Sequence, residues 1–433
     1  MSETWSVEEH LDDILRSVRP LEPIELQLLE AQGCVLVEDV VVPASLPPFD
    51  NSSMDGYAVR TADVEGASEE FPAVLTVIGD VAAGSGELPA VERGQAARIM
   101  TGAALPPGAE AVVPVEWTDG GRGGGPADSM TARSIDPGGA SGEVRVHRPV
   151  ADGQHVRPRG SDVRTGAVAL SAGTVLGPPQ VGLLAAIGRG TVTVRPRPRV
   201  VVVSTGSELV QPGEQLGPGQ IFDSNSFVLT SAAREAGAIA YRVGAVADDA
   251  DTLRSTIEDQ LIRADILVTS GGVSVGAYDV VKEVLSQLDG GGSVEFRRLA
   301  MQPGKPQGFG LIGPDRTPVI ALPGNPVSAY VSFELFVRPA VRALMGRASV
   351  RRETVRARLE TEEALTSPDG KRQFLRGSYV PPAVGESLGS VRTVGGAGSH
   401  LIAALAQANV LIDIPEKTTR AIPGEEVAVV LLD

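Results

Sequence analysis

The sequence predicts a multidomain α/β protein: a doubly wound α/β domain in its second half, β-rich segments before it, and a small all-β domain, a candidate barrel, at its end. Three observations carry this. Between about Arg199 and Gly346, β-branched runs alternate with amphipathic helical runs, the pattern of strand–helix units on a mostly parallel sheet. From about Ser45 to His147, and again after Gly346, short apolar runs are punctuated by Gly and Pro, as in β-rich structure. The 433 residues allow two to four domains at roughly 100–200 residues each.

Each element has its own signal. Ser6-Val7-Glu8-Glu9 fits a capping box, and Leu11, Ile14, Leu15 and Val18 follow at helical spacing until Pro20 and Pro23 stop the helix. Ala73–Ile78 and Ala111–Val115 read as strands. Gly120–Gly142 is Gly-rich and polar, a flexible loop or long hairpin tip. Residues 148–195 return to mixed structure, with a helix near Val181–Ile187, and Arg195-Pro196-Arg197-Pro198 reads as a linker.

The regular alternation then begins. Val200–Ser204 is a strand buried on both faces. A helix runs from about Asn225 to Ala236 and closes on Gly237. A strand lies near Ile239–Val246. Asp248 stands where a helix cap would, ahead of Leu253, Ile257 and Leu261. Ile266–Thr269 is a strand, Tyr278–Leu288 a helix, and Val294–Leu299 and Val319–Leu322 are strands. Pro326–Leu344 is a long apolar helix with proline in its first turn. The β runs after Gly346 are Thr354–Leu359, Gln373–Val380, Val410–Ile414 and Glu426–Leu432.

Composition removes several functions. Formal net charge is −16 and aromatics make up 4 %, so nucleic acid is a poor partner. The lone cysteine, Cys34, sits in an apolar stretch and reads as a core thiol. His10, His147, His155 and His400 are far apart, so a multi-histidine metal site is not expected. The acidic, polar N-terminus shows no signal peptide, and no run of ~18 apolar residues marks a membrane span. A cytoplasmic protein is expected.

In open α/β sheets ligands sit beyond the carboxyl ends of the strands. The segments there are Ser204-Thr205-Gly206-Ser207-Glu208, Asp248-Asp249, Ser270–Gly276 followed by Asp279, and Pro323-Gly324-Asn325-Pro326. The glycines of Ser270–Gly276 let backbone N–H groups approach a phosphate, whereas an ordinary turn needs only one or two. A small phosphate-bearing ligand is therefore expected on this rim. Glu208, Asp248 and Asp279 would repel it unless a cation intervened, and Mg²⁺ suits one or two carboxylates with phosphate oxygens. The plainer readings are a helix cap for Asp248 and dipole compensation for Asp279. Lys305 lies in the rigid Met301-Gln302-Pro303-Gly304-Lys305-Pro306 loop. Pro47–Ala58 is a second polar, turn-rich loop, and Arg98–Ala103 a weaker signal.

Gly272-Val273-Ser274-Val275-Gly276 matches the nucleophile elbow G-x-S-x-G. A hydrolase would need a later histidine, and the only one is His400 in the separate β domain. There is no Walker A motif and no G-x-G-x-x-G after the first strand, so ATPase and dinucleotide readings lack support.

Together, Phe49–Ala58, Arg98–Ala103, Arg159–Asp162, Ser204–Glu208, Gly219–Asn225, Ser270–Asp279, Pro303–Pro306, Pro323–Val327 and Gly398-Ser399-His400 resemble the molybdopterin molybdenumtransferase family, in the family's order and over nearly the whole chain. The α/β motifs alone are also similar to molybdopterin adenylyltransferases, and the Met54-Asp55-Gly56-Tyr57 loop separates the two. The resemblance implies four domains: 1–45 with 148–194, an insert at 46–147, a molybdopterin-binding α/β domain at 195–346, and a β domain at 347–433. It implies an elongated homodimer, contacts with a molybdopterin adenylyltransferase and with molybdoenzyme maturation proteins, and insertion of molybdate into adenylylated molybdopterin with Mg²⁺-dependent release of AMP.

Residue by residue, it implies that Asp55 and Thr101 come from the partner subunit and act with Glu208, Asp248, Asp279 and Lys305. Glu208, Asp248 and Asp279 would bind the metal. Asp162, Ser207, Ser270, Gly271, Gly272, Ser274, Gly276, Arg298, Pro323, Pro326, Arg376 and Ser399 would bind substrate. Gln302 departs from the family, where many relatives have lysine. The alternatives are a pterin adenylyltransferase or pyrophosphatase on the same platform, and a non-catalytic molybdopterin-binding scaffold.

Overall fold

A computed structural model of the chain describes residues 4–130, 142–272, 280–286 and 293–432. At its centre is a seven-stranded sheet. Its strands are β1 (Thr4–Trp5), β2 (Arg199–Thr205), β3 (Ile239–Val246), β4 (Ile266–Ser270), β5 (Val294–Leu299), β6 (Pro306–Ile312) and β7 (Thr317–Leu322), in the spatial order β1-β5-β6-β7-β4-β2-β3. β2 pairs parallel with β3 and β4, and β4 with β7. Alternate residues of the central strands feed two cores. Val200, Val202, Ile266, Val268 and Ile320 face one, while Val201, Val203, Leu267 and Val319 face the other. That period of two, buried on both sides, is why these strands are continuous β-branched runs.

The helices on the first face are α1 (Val7–Ser17), α2 (Asn225–Glu235), α5 (Pro326–Ser332) and α6 (Arg338–Leu344); α3 (Ala250–Leu261) and α4 (Val280–Ser286) cover the second. The doubly wound fold class is borne out. α1 opens with the capping box between Ser6 and Glu9. Its Val7, Leu11 and Ile14 are sealed in the first core, and β1 extends the sheet beside β5. The sequence reading had grouped residues 1–45 with the N-terminal half, but this strand and helix pack on the α/β sheet. The sequence reading assigns no strand at β6, where Gly308 and Gly310 weaken the strand signal. A Cβ at Gly308 would lie 2.9 Å from both Ala321 and Phe296. These are strand glycines at close approaches.

The expected helix Pro326–Leu344 is interrupted by a wider π turn at Phe333–Val337. Pro339 follows two residues after it. Proline lacks an N–H and its ring crowds the carbonyl four residues earlier, which the wider turn accommodates.

The N-terminal half is built of small sheets. Five strands order as Glu143–Val146, Ala73–Val81, Gln95–Ile99, Gly56–Val59 and Ala111–Pro114. Ile24–Gln27 and Val35–Leu36 both pair with Thr191–Arg195 across the insert. Cys34 is buried in that core.

At the other end, β8 (Thr354–Leu359), β9 (Arg372–Val380), β10 (Gly389–Thr393), β11 (Val410–Ile414) and β12 (Glu426–Leu431) close a five-stranded barrel through the β9–β11 pairing. β10 had not been anticipated. Among the described residues, no helix is long and apolar enough to cross a membrane.

Candidate active site

Three strand-end loops of the α/β sheet are laced together by one side chain. Asn225, at the start of α2, donates from Nδ2 to Ser270 Oγ at 2.8 Å and to the Gly324 carbonyl at 2.6 Å. Ser270 Oγ also donates to the Pro323 carbonyl at 3.4 Å. Asn225 is a site residue that the sequence reading did not single out. Its signal was weak, since asparagine at a helix start reads as capping chemistry. Backbone crowds this point: Gly271 has φ +104°, and a Cβ there would meet the Thr205 carbonyl at 2.5 Å. Only glycine lets these loops converge so closely.

The acidic side of the rim is equally specific. Asp248 Oδ2 accepts the Ser207 N–H at 3.2 Å, and the Asp248 N–H donates to Ser207 Oγ at 3.2 Å. The cap of α3 is Asp249, which accepts from the Thr252 N–H at 2.9 Å. The helix-cap reading of Asp248 is thus corrected by one position. Asp248 is left exposed and committed to the first strand-end loop. The Glu208 carboxylate folds over Gly206, where an added Cβ would lie 2.7 Å from Oε2. Glu208 and Asp248 lie on adjoining loops, and among the described residues the Glu208 carboxylate and Asp248 Oδ1 have no hydrogen-bond partner, a donor set that fits Mg²⁺ completed by water. Among the described residues no three such groups gather into a metal cage. Asp279, Ser274 and Gly276 lie outside the described residues, as does part of the expected helix Tyr278–Leu288. Gly272 is the last described residue of its loop, with φ +64°.

Lys305 is exposed on a loop held from beneath. Gln307 Nε2 donates to the Gly304 carbonyl at 2.7 Å and to Ser332 Oγ at 2.6 Å. Arg298 is exposed opposite Pro306 in the β5–β6 ladder. Met301 and Gln302 pair parallel with Arg372 and Gln373 of the barrel. The barrel also reaches the Pro323–Pro326 turn, because the Val327 N–H donates to the Ser399 carbonyl at 3.0 Å.

Arg376 on β9 is 2 % exposed. It donates from Nη1 to the Gly398 carbonyl at 3.1 Å and from Nη2 to the Gly396 carbonyl, so it fixes the loop that carries Ser399. Its Nε and the Oε1 of buried Gln373 have no hydrogen-bond partner among the described residues. Both side chains line a cavity of about 210 Å³ with Thr366, Thr393 and Gly396. Burial pushes the guanidinium below its ordinary pKa.

Asp55 and Thr101 sit in the N-terminal half, both exposed. The Thr101 N–H donates to Asp55 Oδ1 at 2.6 Å. Gly56 beside them is squeezed between two strands, and a Cβ would run into the Val113 carbonyl. The nearby Asp162 is exposed, its N–H bonded to the Leu46 carbonyl at 3.0 Å. Among the described residues, the strands that flank Asp55 and Thr101, Gly56–Val59 and Gln95–Ile99, pair with none of the seven in the α/β sheet. Within one chain, the structure bonds Ser207 to Asp248 and Ser270 to Pro323 at neighbouring strand ends, bonds Ser399 to Val327 beside them, and bonds Asp55 to Thr101 next to a different sheet.

A glycine-shaped rim, exposed carboxylates, an exposed lysine and a buried arginine lie on a multidomain α/β protein whose barrel bonds to the strand-end turn of its sheet. Residues 5–188 match the family model described as MoeA N-terminal region (domain I and II), residues 201–343 the probable molybdopterin binding domain, and residues 358–432 the MoeA C-terminal region (domain IV). Molybdopterin molybdenumtransferase 2 of Mycobacterium tuberculosis is 43 % identical over 427 residues, covering 98 % of both chains. Molybdopterin molybdenumtransferase 1 of that organism is 41 % identical over 446 residues, covering 99 % of both. The crystal structure of the molybdopterin biosynthesis MoeA protein of Pyrococcus horikoshii superposes with a TM-score of 0.74 at 32 % identity, covering 100 % of both chains. The chain belongs to the molybdopterin molybdenumtransferase family.

Proposed function

We propose that this protein is a transferase that inserts molybdate into adenylylated molybdopterin and releases AMP. The observation that carries the reading is the junction of two unlike anion sites. One is an open rim built of backbone and Ser270, Ser207 and Lys305. The other is a buried arginine that has no carboxylate partner among the described residues. The rim suits a phosphate-bearing pterin; the cavity lined by Arg376, beside the loop that carries Ser399, suits a small oxyanion. Gln373 Oε1 tempers that fit, since an unpartnered oxygen favours a protonated or hydroxyl-bearing anion face.

In this reading the nucleophile is a water or a molybdate oxygen. The phosphate bond to AMP breaks, and the pterin's dithiolene sulfurs take the molybdenum. Glu208 and Asp248, with Asp279, would hold Mg²⁺, which supplies charge neutralisation at the phosphates. Lys305 and Arg298 contribute fixed positive charge, and the strand-end loops hold the pterin side in place. Asp55 and Thr101 would close the cleft from a second copy of the chain, and Asp162 would contribute to substrate binding. The homodimer, the cytoplasmic location, the contacts with adenylyltransferase and maturation proteins, and the domain limits 46–147, 195–346 and 347–433 belong to the same proposal.

The test is direct. Protein, adenylylated molybdopterin, Mg²⁺ and molybdate are incubated, and AMP and active cofactor are measured. Both should appear together and depend on molybdate. Cleavage of ATP instead, or no AMP, would overturn the proposal.

A further inference from the structure

The two anion sites lie on different domains, so something must set their spacing. The β9 strand is well placed to do this. Its first residue, Arg372, donates its N–H to the Ala300 carbonyl at 2.9 Å, and the pairing with Met301–Gln302 runs directly into the Lys305 loop. Four residues along the same strand stands Arg376. A shift of β9 would therefore move the buried guanidinium relative to Lys305.

The Arg372 side chain is held on three points. It forks onto Asp413 of β11 at 2.8 and 2.7 Å, and its Nη1 donates to Glu8 at 2.8 Å. The other oxygen of Glu8 accepts from Arg351 at 2.7 Å, in the segment leading to the barrel. Glu8 is in the first turn of α1, where an acid is favoured by the helix dipole. The neighbouring face of α1 is sealed in the α/β core, which also contains barrel residues Phe374, Leu411 and Val430. Glu8 is thus a charged post on a rigid helix, gripping the barrel at two points.

We propose that Glu8 and Arg372 form a positioning latch that sets the barrel's anion cavity against the Lys305 loop. The kinetic consequence rests on the function proposed above; the structural one does not. A second ionic cluster serves as a control. Arg352 joins Glu334 at 2.8 Å and Glu235 at 2.5 Å, holding the same connecting segment to α2 and the π turn without touching the site.

The experiment compares full-length wild type, Glu8→Gln and Glu235→Gln. In Glu8→Gln, amide hydrogen exchange should quicken in residues 301–305 and 396–399. The molybdate KM should rise roughly five-fold, as for other residues that couple sites without touching ligand. Turnover number and the KM for adenylylated molybdopterin should stay within about two-fold of wild type, because the Asn225, Ser270 and Ser207 contacts that hold the pterin side of the rim are untouched. Glu235→Gln should lower thermal stability and leave both loops and both KM values as they are. Unchanged exchange in both loops, or a parallel rise in both KM values, overturns the latch. If the wild type itself releases no AMP, the functional reading falls, and the exchange comparison still decides the latch.

Discussion

The α/β rim and the barrel cavity adjoin, yet they hold charge in opposite ways. On the rim, Ser207, Glu208, Asp248 and Lys305 are all exposed, and shape comes from backbone at Gly271 and Gly324. Charges there remain hydrated and screened, so each contributes little to the free protein. In the barrel, Arg376 and Gln373 are each 2 % exposed. The cost of stripping water from the guanidinium falls on folding, and only carbonyls offset it. The difference teaches what each half is suited to bind. An open rim accommodates a large hydrated phosphate ligand. A desolvated arginine gains most from a small anion that needs no further desolvation of the protein.

The sharpest way to break that comparison is to replace Arg376. It anchors the 396–398 loop and lines the cavity, so Arg376→Gln should lower molybdate-dependent turnover about 10²–10³-fold, the usual loss for one preorganised donor. Arg376→Lys should not rescue it, since an ammonium cannot span two carbonyls and keep a third donor for the cavity. Steady-state AMP release checks both. Near-wild-type activity in the lysine variant would mean that the fork is not what matters.

Asn225→Ala tests the rim in the same way with a smaller effect. It strips the Gly324 carbonyl and Ser270 Oγ of a shared donor, at a cost of about 1–3 kcal/mol for a part-buried group. The KM for adenylylated molybdopterin should rise while that for molybdate holds. Equal changes in both would show that the halves are not separable.

Much of this was legible in the sequence, and the misses have physical causes. The central strands were readable because burial on both faces demands unbroken β-branched runs, as in Val200–Ser204 and Ile266–Thr269. The rim loops were readable because glycines and acids follow those strands. Pro306–Ile312 was not, because strand glycines at close approaches look like turn glycines. The docking of β1 and α1 onto the α/β sheet was not, because an amphipathic helix announces an apolar face and not its partner. Asn225 escaped because one side chain joining Ser270 to Gly324 is a long-range fact. The role of Arg376 as a loop anchor was hidden for the same reason. The resemblance placed it near an anion, and the bonds to Gly396 and Gly398 are visible only in three dimensions.

The finest version of the comparison lies within two adjacent residues. Asp248 and Asp249 are both exposed, and sequence had assigned the cap to the wrong one. Thr252 holds the Asp249 carboxyl below its ordinary value of 3.8. A lowered folded-state pKa makes the charge-dependent part of the cap fully present above that value and lost as pH falls through the folded one. Asp249→Ala should therefore lower the melting temperature at neutral pH, with the deficit shrinking below about pH 3.8, and should leave the Mg²⁺ requirement unchanged. Asp248→Asn should do the reverse. An amide oxygen can still accept the Ser207 N–H, so the loop keeps its shape, but the site loses a charge. Thermal stability should hold while half-saturating Mg²⁺ rises. Calorimetry and a Mg²⁺ titration of AMP release read the two effects separately. If both variants shift Mg²⁺ alike, the boundary between scaffold and site does not run between these two carboxylates.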